Sequence, residues 1–136
     1  MSARSKARKR ALDVLFESEV RGLPVGGTLA DRVADNDPPV NEFTVALVEG
    51  VAKHIDVIDD LLETHSVGWS LDRMPAVDRN ILRIGSYELL FDGQVPDVVA
   101  VSEAVALARD LSTDESPAFV NGLLARLLQL KPTLGV

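Results

Sequence analysis

The chain has 136 residues, 46% hydrophobic and 26% charged, which suits one globular domain with a sizeable core. It contains no cysteine, which excludes disulfides and thiolate metal sites. Its formal net charge of −7 argues against non-specific coating of nucleic acid by the whole surface. No apolar run approaches the roughly 20 residues that a membrane span needs. Acidic residues also interrupt the apolar stretch at 11–20, which excludes a signal peptide. We therefore expect a cytoplasmic protein without a membrane contact.

The first ten residues are strongly basic. They contain five cations and no acid, which leaves nine lysines and arginines against 21 acids, a charge of −12, in residues 11–136. The five cations are Arg4, Lys6, Arg8, Lys9 and Arg10. Such asymmetry hints at contact with nucleic acid or another anionic surface. A solvated terminus that keeps the protein soluble is an equally good interpretation at this point.

Apolar residues recur at spacings of three and four, without strand patterns, which predicts an all-α bundle of six to seven helices. The first helix is predicted over 5–21, with Gly22 as its C-terminal stop. Because cations oppose the positive end of a helix dipole, we expect residues 1–10 to be mobile without a bound polyanion. A short helix is predicted at 28–34, before the Pro38-Pro39 loop.

Asn41 is predicted to cap one long helix that runs to Thr64. His54 and His65 fall eleven residues apart on this helix, a separation of roughly 16 Å that excludes a shared metal ion. Both histidines are interpreted as surface or boundary residues.

Three further helices are predicted over 75–92, 96–111 and 119–130. The loops at 22–40 and 66–75 divide all the helices into two three-helix-like halves that share one core. Gly122 lies inside the last helix, where a glycine costs about 1 kcal/mol relative to alanine. We predict that another helix packs closely against Gly122, with direct contact to a ligand as the alternative.

The sequence carries no catalytic motif. It has no G-x-S-x-G, no H-E-x-x-H and no glycine-rich phosphate loop. Asp59 and Asp60 are adjacent on a helix and point in different directions, so they make a poor catalytic pair. We therefore expect no enzymatic activity, no cofactor and no metal site.

Four segments together resemble the NusB family of transcription antitermination factors. They are ARSKARKRALDVLFE at 3–17, AVDRNILRIGSYELL at 76–90, P-x-x-V-x-x-x-EAVALAR at 96–109, and DESPAFVNGLL at 114–124. The match covers nearly the whole chain, residues 1–136, as a single domain. One departure is Phe16, which stands where many members of the family have tyrosine.

The resemblance implies a non-catalytic protein that binds the boxA element of ribosomal RNA leader transcripts as single-stranded RNA. It would act with NusE, a small-subunit ribosomal protein, in the RNA polymerase antitermination complex. The resemblance gives the five N-terminal cations phosphate contacts, Glu115 an influence on RNA affinity, and Phe119 either a stacking or a core role. It places Phe16 and Asp78 on the partner surface.

Two alternatives stay open. Similar helical domains form the RNA-binding front end of ribosomal RNA cytosine methyltransferases, a role that would here need a separate cofactor-binding chain. A helical DNA-binding regulator is opposed by the mixing of Arg73, Arg79 and Arg83 with Asp72 and Asp78. The sequence also leaves open whether the protein is a monomer or a homodimer.

Overall fold

The structure is a computed structural model that describes residues 2–36 and 38–136. Its helices are α1 (Ala3–Val20), α2 (Leu29–Asp35), α3 (Glu42–Lys53), α4 (Ile55–His65), α5 (Ala76–Tyr87), α6 (Asp97–Leu111) and α7 (Ser116–Leu130). Helix α5 continues into one π-helical turn, Glu88–Asp92, and 3-10 turns lie at Leu71–Arg73 and Lys131–Thr133. The described residues include no strand, so the all-α prediction is confirmed.

Helix α5 is the centre of the packing. It contacts α1, α3 and α4 from the first part of the chain and α6 and α7 from the second. Its Ile81, Leu82 and Ile84 are buried beneath these neighbours, and so are the polar Asp78 and Asn80. Helices α1 and α3 also pack together, as do α6 and α7. The two groups share one hydrophobic core, as the sequence predicted.

The long helix predicted from Asn41 to Thr64 is two helices, so that prediction is wrong. Asn41 does cap α3, since its side-chain oxygen accepts from the Phe43 N–H at 2.7 Å. The chain leaves helical geometry at His54, with φ −106° and ψ 15°, and α4 starts at the next residue. The His54 ring stacks on Phe91, with ring centroids 4.0 Å apart. This break lets both α3 and α4 pack against α5.

The close-packing prediction for Gly122 is also wrong. Gly122 is exposed, and a Cβ atom added there would meet no atom within 4 Å outside its own helix turn. Close packing instead requires Gly50 and Gly85. A Cβ on Gly85 would lie 2.8 Å from Leu124, and one on Gly50 would overlap the Tyr87 ring. These two glycines admit neighbouring side chains to α3 and α5.

Candidate nucleic-acid interface

The basic start of α1 is a capped helix tied to α6. The helix begins at Ala3, two residues earlier than predicted, and the Ser2 side chain accepts from the Ser5 N–H at 3.0 Å. The Ser5 hydroxyl donates to Glu103 at 2.9 Å. Residue 1 lies outside the described residues. The cations that follow Ser5 therefore project from a helical turn that is held by the Ser2 cap and by the bond to Glu103.

Arg8 lies inside the protein, contrary to the expectation that it binds RNA phosphate. It is 2% exposed, and its Nε and Nη2 donate to the two carboxylate oxygens of Glu88 at 2.7 and 2.9 Å. Glu103 lies 3.5 Å from a third nitrogen. Burial acts to lower the pKa of Arg8, but the hydrogen bond and charge of Glu88 raise it above its ordinary value. Arg8 holds α1 in place and offers nothing to a strand outside.

Three of the other cations share one face of α1. Lys6, Lys9 and Arg10 stand at spacings of three and four, which places them side by side on a helix. Lys6 and Lys9 are exposed and Arg10 is half-buried. None of the three forms a salt bridge within the described part of the chain. We call these residues the cationic face.

Arg4 points in another direction. Its guanidinium carbon lies 4.8 Å from the centre of the Phe43 ring, at the start of α3, and that of Arg8 lies 5.2 Å from the same ring. Arg4 is exposed, whereas Arg8 is fixed by Glu88. The structure thus divides the five predicted cations into the cationic face, one arginine over an aromatic ring, and one buried arginine.

Glu115 and Phe119 lie at a different place in the fold. Glu115 is exposed just before α7. Phe119 is half-buried, and its ring meets that of Trp69 edge-on, with the ring centroids 4.8 Å apart. Next to Phe119 is a groove of about 330 Å³ that also contacts His65, Gly122 and Arg126. Phe119 therefore contributes to packing and also lines an open surface.

The structure does not bring this groove next to the basic turn. Ser116, at the start of α7, bonds to Asp78 at the start of α5, whereas Arg8 bonds to Glu88. Ten residues of helix separate Asp78 from Glu88, a distance of roughly 15 Å along α5. A single strand must cross that distance to reach both places.

Asp78 is buried, so the expectation that it contacts a partner is not supported by its position. Its Oδ1 accepts from the Ser116 hydroxyl at 2.9 Å and from the Ser112 hydroxyl. Asp78 joins the loop between α6 and α7 to α5. Phe16, in contrast, is 38% exposed, and Val20 one helical turn later is 67% exposed. These two residues and the exposed Leu23 make a small apolar surface at the end of α1, which we call the Phe16 patch.

Two acids that position α1 are not among the residues predicted from the sequence. Glu88 and Glu103 each stand in an apolar stretch, LRIGSYELLF and VVAVSEAVAL, and an acid inside a buried run needs a cationic partner. That signal was present, but it did not reveal which cation each acid binds.

The described residues contain no cluster of three or more side chains suited to hold a metal ion. His54 is occupied by its stack on Phe91. No helix in this part of the chain is both long enough and apolar enough to cross a membrane.

Known proteins resemble this chain over nearly its whole length. The NusB from Arthrobacter sp. (strain FB24) is 63% identical over 98% of both chains, and that from Thermobifida fusca is 58% identical over 98% of this chain and 94% of its own. The structure of T. maritima NusB superposes with a TM-score of 0.82 at 30% identity, covering 94% of this chain and 92% of that one. A structure of the antitermination factors NusB and NusE in complex with double-stranded RNA gives 0.80 at 31% identity, covering 93% and 96%. The NusB family model matches residues 5–129, and the chain belongs to the NusB family.

Proposed function

We propose that this protein is a non-catalytic transcription antitermination factor. It binds single-stranded boxA RNA of ribosomal RNA leader transcripts together with NusE, within the RNA polymerase antitermination complex. Family membership supports the general role, because the relatives carry the name transcription antitermination protein. The related complex of NusB and NusE with double-stranded RNA supports NusE and RNA as the partners, and the single-stranded boxA element is our proposal.

The observation that carries the RNA-binding proposal is the cationic face. Three cations lie side by side on a protein whose residues 11–136 sum to −12. Phosphate binding releases condensed counterions, so each neutralised phosphate of a single strand contributes about −0.7 to the slope of log affinity against log salt. The cationic face, Lys6, Lys9 and Arg10, should therefore account for about two units of that slope.

A salt titration tests this proposal. We expect the variant Lys6→Ala, Lys9→Ala, Arg10→Ala to bind boxA RNA more weakly and with a slope shallower by about two units. The matched control removes three exposed cations elsewhere: Lys53→Ala, Arg73→Ala and Arg109→Ala. Both triple variants change the formal charge from −7 to −10, so a loss confined to the first reports position and not net charge.

The choice of nucleic acid separates the proposal from its alternatives. Single-stranded boxA RNA should bind more tightly than a scrambled strand, and duplex DNA of equal length should bind worst. Preference for duplex DNA would favour the DNA-binding regulator. Equal slopes for wild type and the Lys6, Lys9, Arg10 variant would mean that the cationic face is solvated and does not contact phosphate.

The Phe16 patch is the proposed contact for NusE. Partly exposed aromatic residues with apolar neighbours are common anchors of protein interfaces. The acidic body of the chain gives a field that attracts a basic ribosomal protein. Asp78 is left out of this contact, because it is buried and joins the α6–α7 loop to α5.

Calorimetry with purified NusE tests the patch. Phe16→Ser should weaken the complex by roughly tenfold or more, the usual scale for an aromatic anchor. Val98→Ser is the matched control, since Val98 is exposed on α6, outside the patch. Light scattering on both variants shows whether the Phe16 patch instead joins two copies of this chain. Unchanged NusE affinity with a lost homodimer would assign the patch to self-association.

Glu115 and Phe119 are proposed as a second RNA contact at the start of α7. Glu115 is exposed and carries a negative charge that repels phosphate, so Glu115→Gln should raise RNA affinity. Phe119 lines the groove beside Gly122, where a base could stack on its open side. An unchanged affinity for Glu115→Gln would place the strand away from α7.

A further inference from the structure

The Phe43 ring is the aromatic group that the fold places against the basic turn. The chain has four phenylalanines, one tyrosine and one tryptophan. Trp69 and Phe119 pack on each other, and Tyr87 and Phe91 stack with His54. Phe43 instead lies within 5.2 Å of two arginine guanidinium groups. Arginine interleaved with an aromatic ring is the arrangement that single-stranded nucleic acid uses for stacking.

The side chains of the two arginines at this ring differ in how firmly they are held. Arg8 is held by two hydrogen bonds to Glu88, so it fixes the ring from one side. Arg4 is exposed, and no salt bridge within the described residues holds it. An incoming base can therefore displace Arg4 from the ring without breaking an ion pair. The displaced guanidinium then stands next to the backbone of the same strand.

The ring opens onto a recess with amide side chains at its rim. The recess has a volume of about 410 Å³ and is lined by Arg4, Asn41, Phe43, Ala46 and Gln94, among others. Asn41 uses its oxygen to cap α3, which leaves its NH₂ group for a ligand. Gln94 is exposed and offers both a donor and an acceptor. Unpaired RNA bases present such groups along their edges.

The charge at the rim narrows the class of ligand. Glu42 and Arg4 are the two charged residues that line the recess, and both are exposed. A nucleoside triphosphate would bring several negative charges next to Glu42 and is disfavoured. One base of a strand brings a single adjoining phosphate, which Arg4 can neutralise. The recess therefore suits a strand better than a mononucleotide.

We propose that Phe43 and Arg4 form a binding site for one unpaired base of RNA. The base stacks on the Phe43 ring, and Arg4 contacts the phosphate next to it. This inference rests on the proposed function, because it assumes that the protein binds single-stranded RNA. It adds a contact that the cationic face does not supply, since phosphates position a strand and base contacts specify it.

Stacking and phosphate contacts leave different signatures in a salt titration. Phe43→Leu keeps an apolar side chain but removes the π face, so affinity for boxA RNA should fall about 5- to 150-fold. The salt slope should stay unchanged, because no charge is lost. Phe43→Tyr should keep nearly full affinity. Arg4→Gln should make the slope shallower by about 0.7.

Fluorescence locates the base directly. 2-Aminopurine is placed at one position at a time along the boxA strand, and stacking quenches it. Wild type and Phe43→Tyr should quench one position that Phe43→Leu does not. Phe91→Leu is the matched control, since Phe91 is half-buried and stacks on His54 away from the basic turn. Circular dichroism and melting curves establish that each variant is folded.

The outcomes distinguish this site from the general function. If wild type binds boxA RNA and Phe43→Leu binds it equally well, the base site is wrong and the proposed function stands. If Phe43→Leu and Phe91→Leu lose affinity in proportion to lost stability, Phe43 is structural. If wild type does not bind RNA, both proposals fail. Should Phe43→Leu not fold, the quenching pattern of wild type against Arg4→Gln decides, because Arg4 is exposed.

Discussion

Arg8 and Glu88 join the start of α1 to the π-helical turn after α5 through two parallel hydrogen bonds, 2.7 and 2.9 Å long. Both side chains are almost completely buried, and 80 residues of chain separate them. Because a paired guanidinium and carboxylate share a fixed geometry, this pair sets the rotation of α1 about its axis. That rotation turns Lys6, Lys9 and Arg10 to the outside and Arg4 to the Phe43 ring. The buried pair therefore positions every other basic residue of the segment.

Breaking this pair should destabilise the fold strongly. Arg8→Met leaves the Glu88 carboxylate buried without its partner, which costs about 3–5 kcal/mol. The double variant Arg8→Met, Glu88→Leu removes both charges and should be more stable than Arg8→Met alone. Urea unfolding of wild type, both single variants and the double variant gives the coupling energy. Additive effects would mean that the two side chains do not interact.

The same variants separate a structural from a phosphate-binding Arg8. Over a range of salt concentrations, and at a temperature where Arg8→Met stays folded, the slope of its log affinity for boxA RNA against log salt should match that of wild type. A slope shallower by about 0.7 would mean either that Arg8 contacts phosphate or that the cationic face has moved. Adding Lys6→Ala, Lys9→Ala and Arg10→Ala to Arg8→Met separates the two: a further loss of about two units shows that the cationic face is intact and assigns the 0.7 to Arg8.

Stability should fall in acid through Glu19. This carboxylate bonds to Arg79 at 2.7 and 3.0 Å and lies 3.3 Å from Arg83. The hydrogen bond from Arg79, opposed by burial, holds the pKa of Glu19 below its ordinary value of 4.5. A depressed pKa means that the stabilisation is complete above pH 4.5 and is lost as the pH falls through the lower, folded value. Melting curves of wild type and Glu19→Gln should therefore differ at pH 7 and converge in acid.

The exposed Glu49→Gln is the control for that experiment, since Glu49 forms no salt bridge within the described residues. Its melting temperature should follow wild type at every pH. A constant difference between wild type and Glu19→Gln across the pH range would assign the effect of Glu19 to packing.

Alanine substitutions at two helical glycines, Gly122 and Gly50, should change the free energy of unfolding in opposite directions. Gly122→Ala should stabilise the protein by about 0.5–1 kcal/mol, because the new methyl group meets no neighbour and alanine favours helix. Gly50→Ala should destabilise it by roughly 1–3 kcal/mol, because the methyl group overlaps the Tyr87 ring. Urea midpoints of the two variants provide the measurement. A stabilised Gly50→Ala would mean that Tyr87 can move aside.

Helix positions could be predicted from the sequence because their signals are local. The cap at Asn41 and the π turn's end at Gly93, with φ 69°, both lie next to the residues that they organise. The break at His54 has no such signal. It coincides with a ring stack on Phe91, which lies in another helix and 37 positions further along the sequence.

The candidate site could be predicted only as a composition. A cluster of five cations indicates a site for a polyanion. It does not indicate that Arg8 is buried, because that burial depends on an ion pair with Glu88. Among 14 lysines and arginines, nothing in the sequence says which one an isolated buried acid selects. Phe43 is half-buried at the start of α3, and nothing next to it in the sequence marks it as a binding residue. Its proximity to Arg4 arises from how α1 and α3 pack, which periodicity does not encode.

Substitutions of Asp78 should lower the stability of the protein without weakening its complex with NusE, because Asp78 is buried and bonded to Ser116. Asp78→Ala removes the acceptor for the Ser116 and Ser112 hydroxyls and should destabilise the protein by about 1–3 kcal/mol. Asp78→Asn keeps an acceptor oxygen and should cost less. Calorimetry on the folded variants should find the NusE affinity of wild type in both, while Phe16→Ser binds more weakly. Urea unfolding verifies the order of stability, and the same titrations repeated at several salt concentrations exclude a steering role. A weakened complex with Asp78→Asn at unchanged stability would return Asp78 to the partner surface, and would require the α6–α7 loop to open when NusE binds.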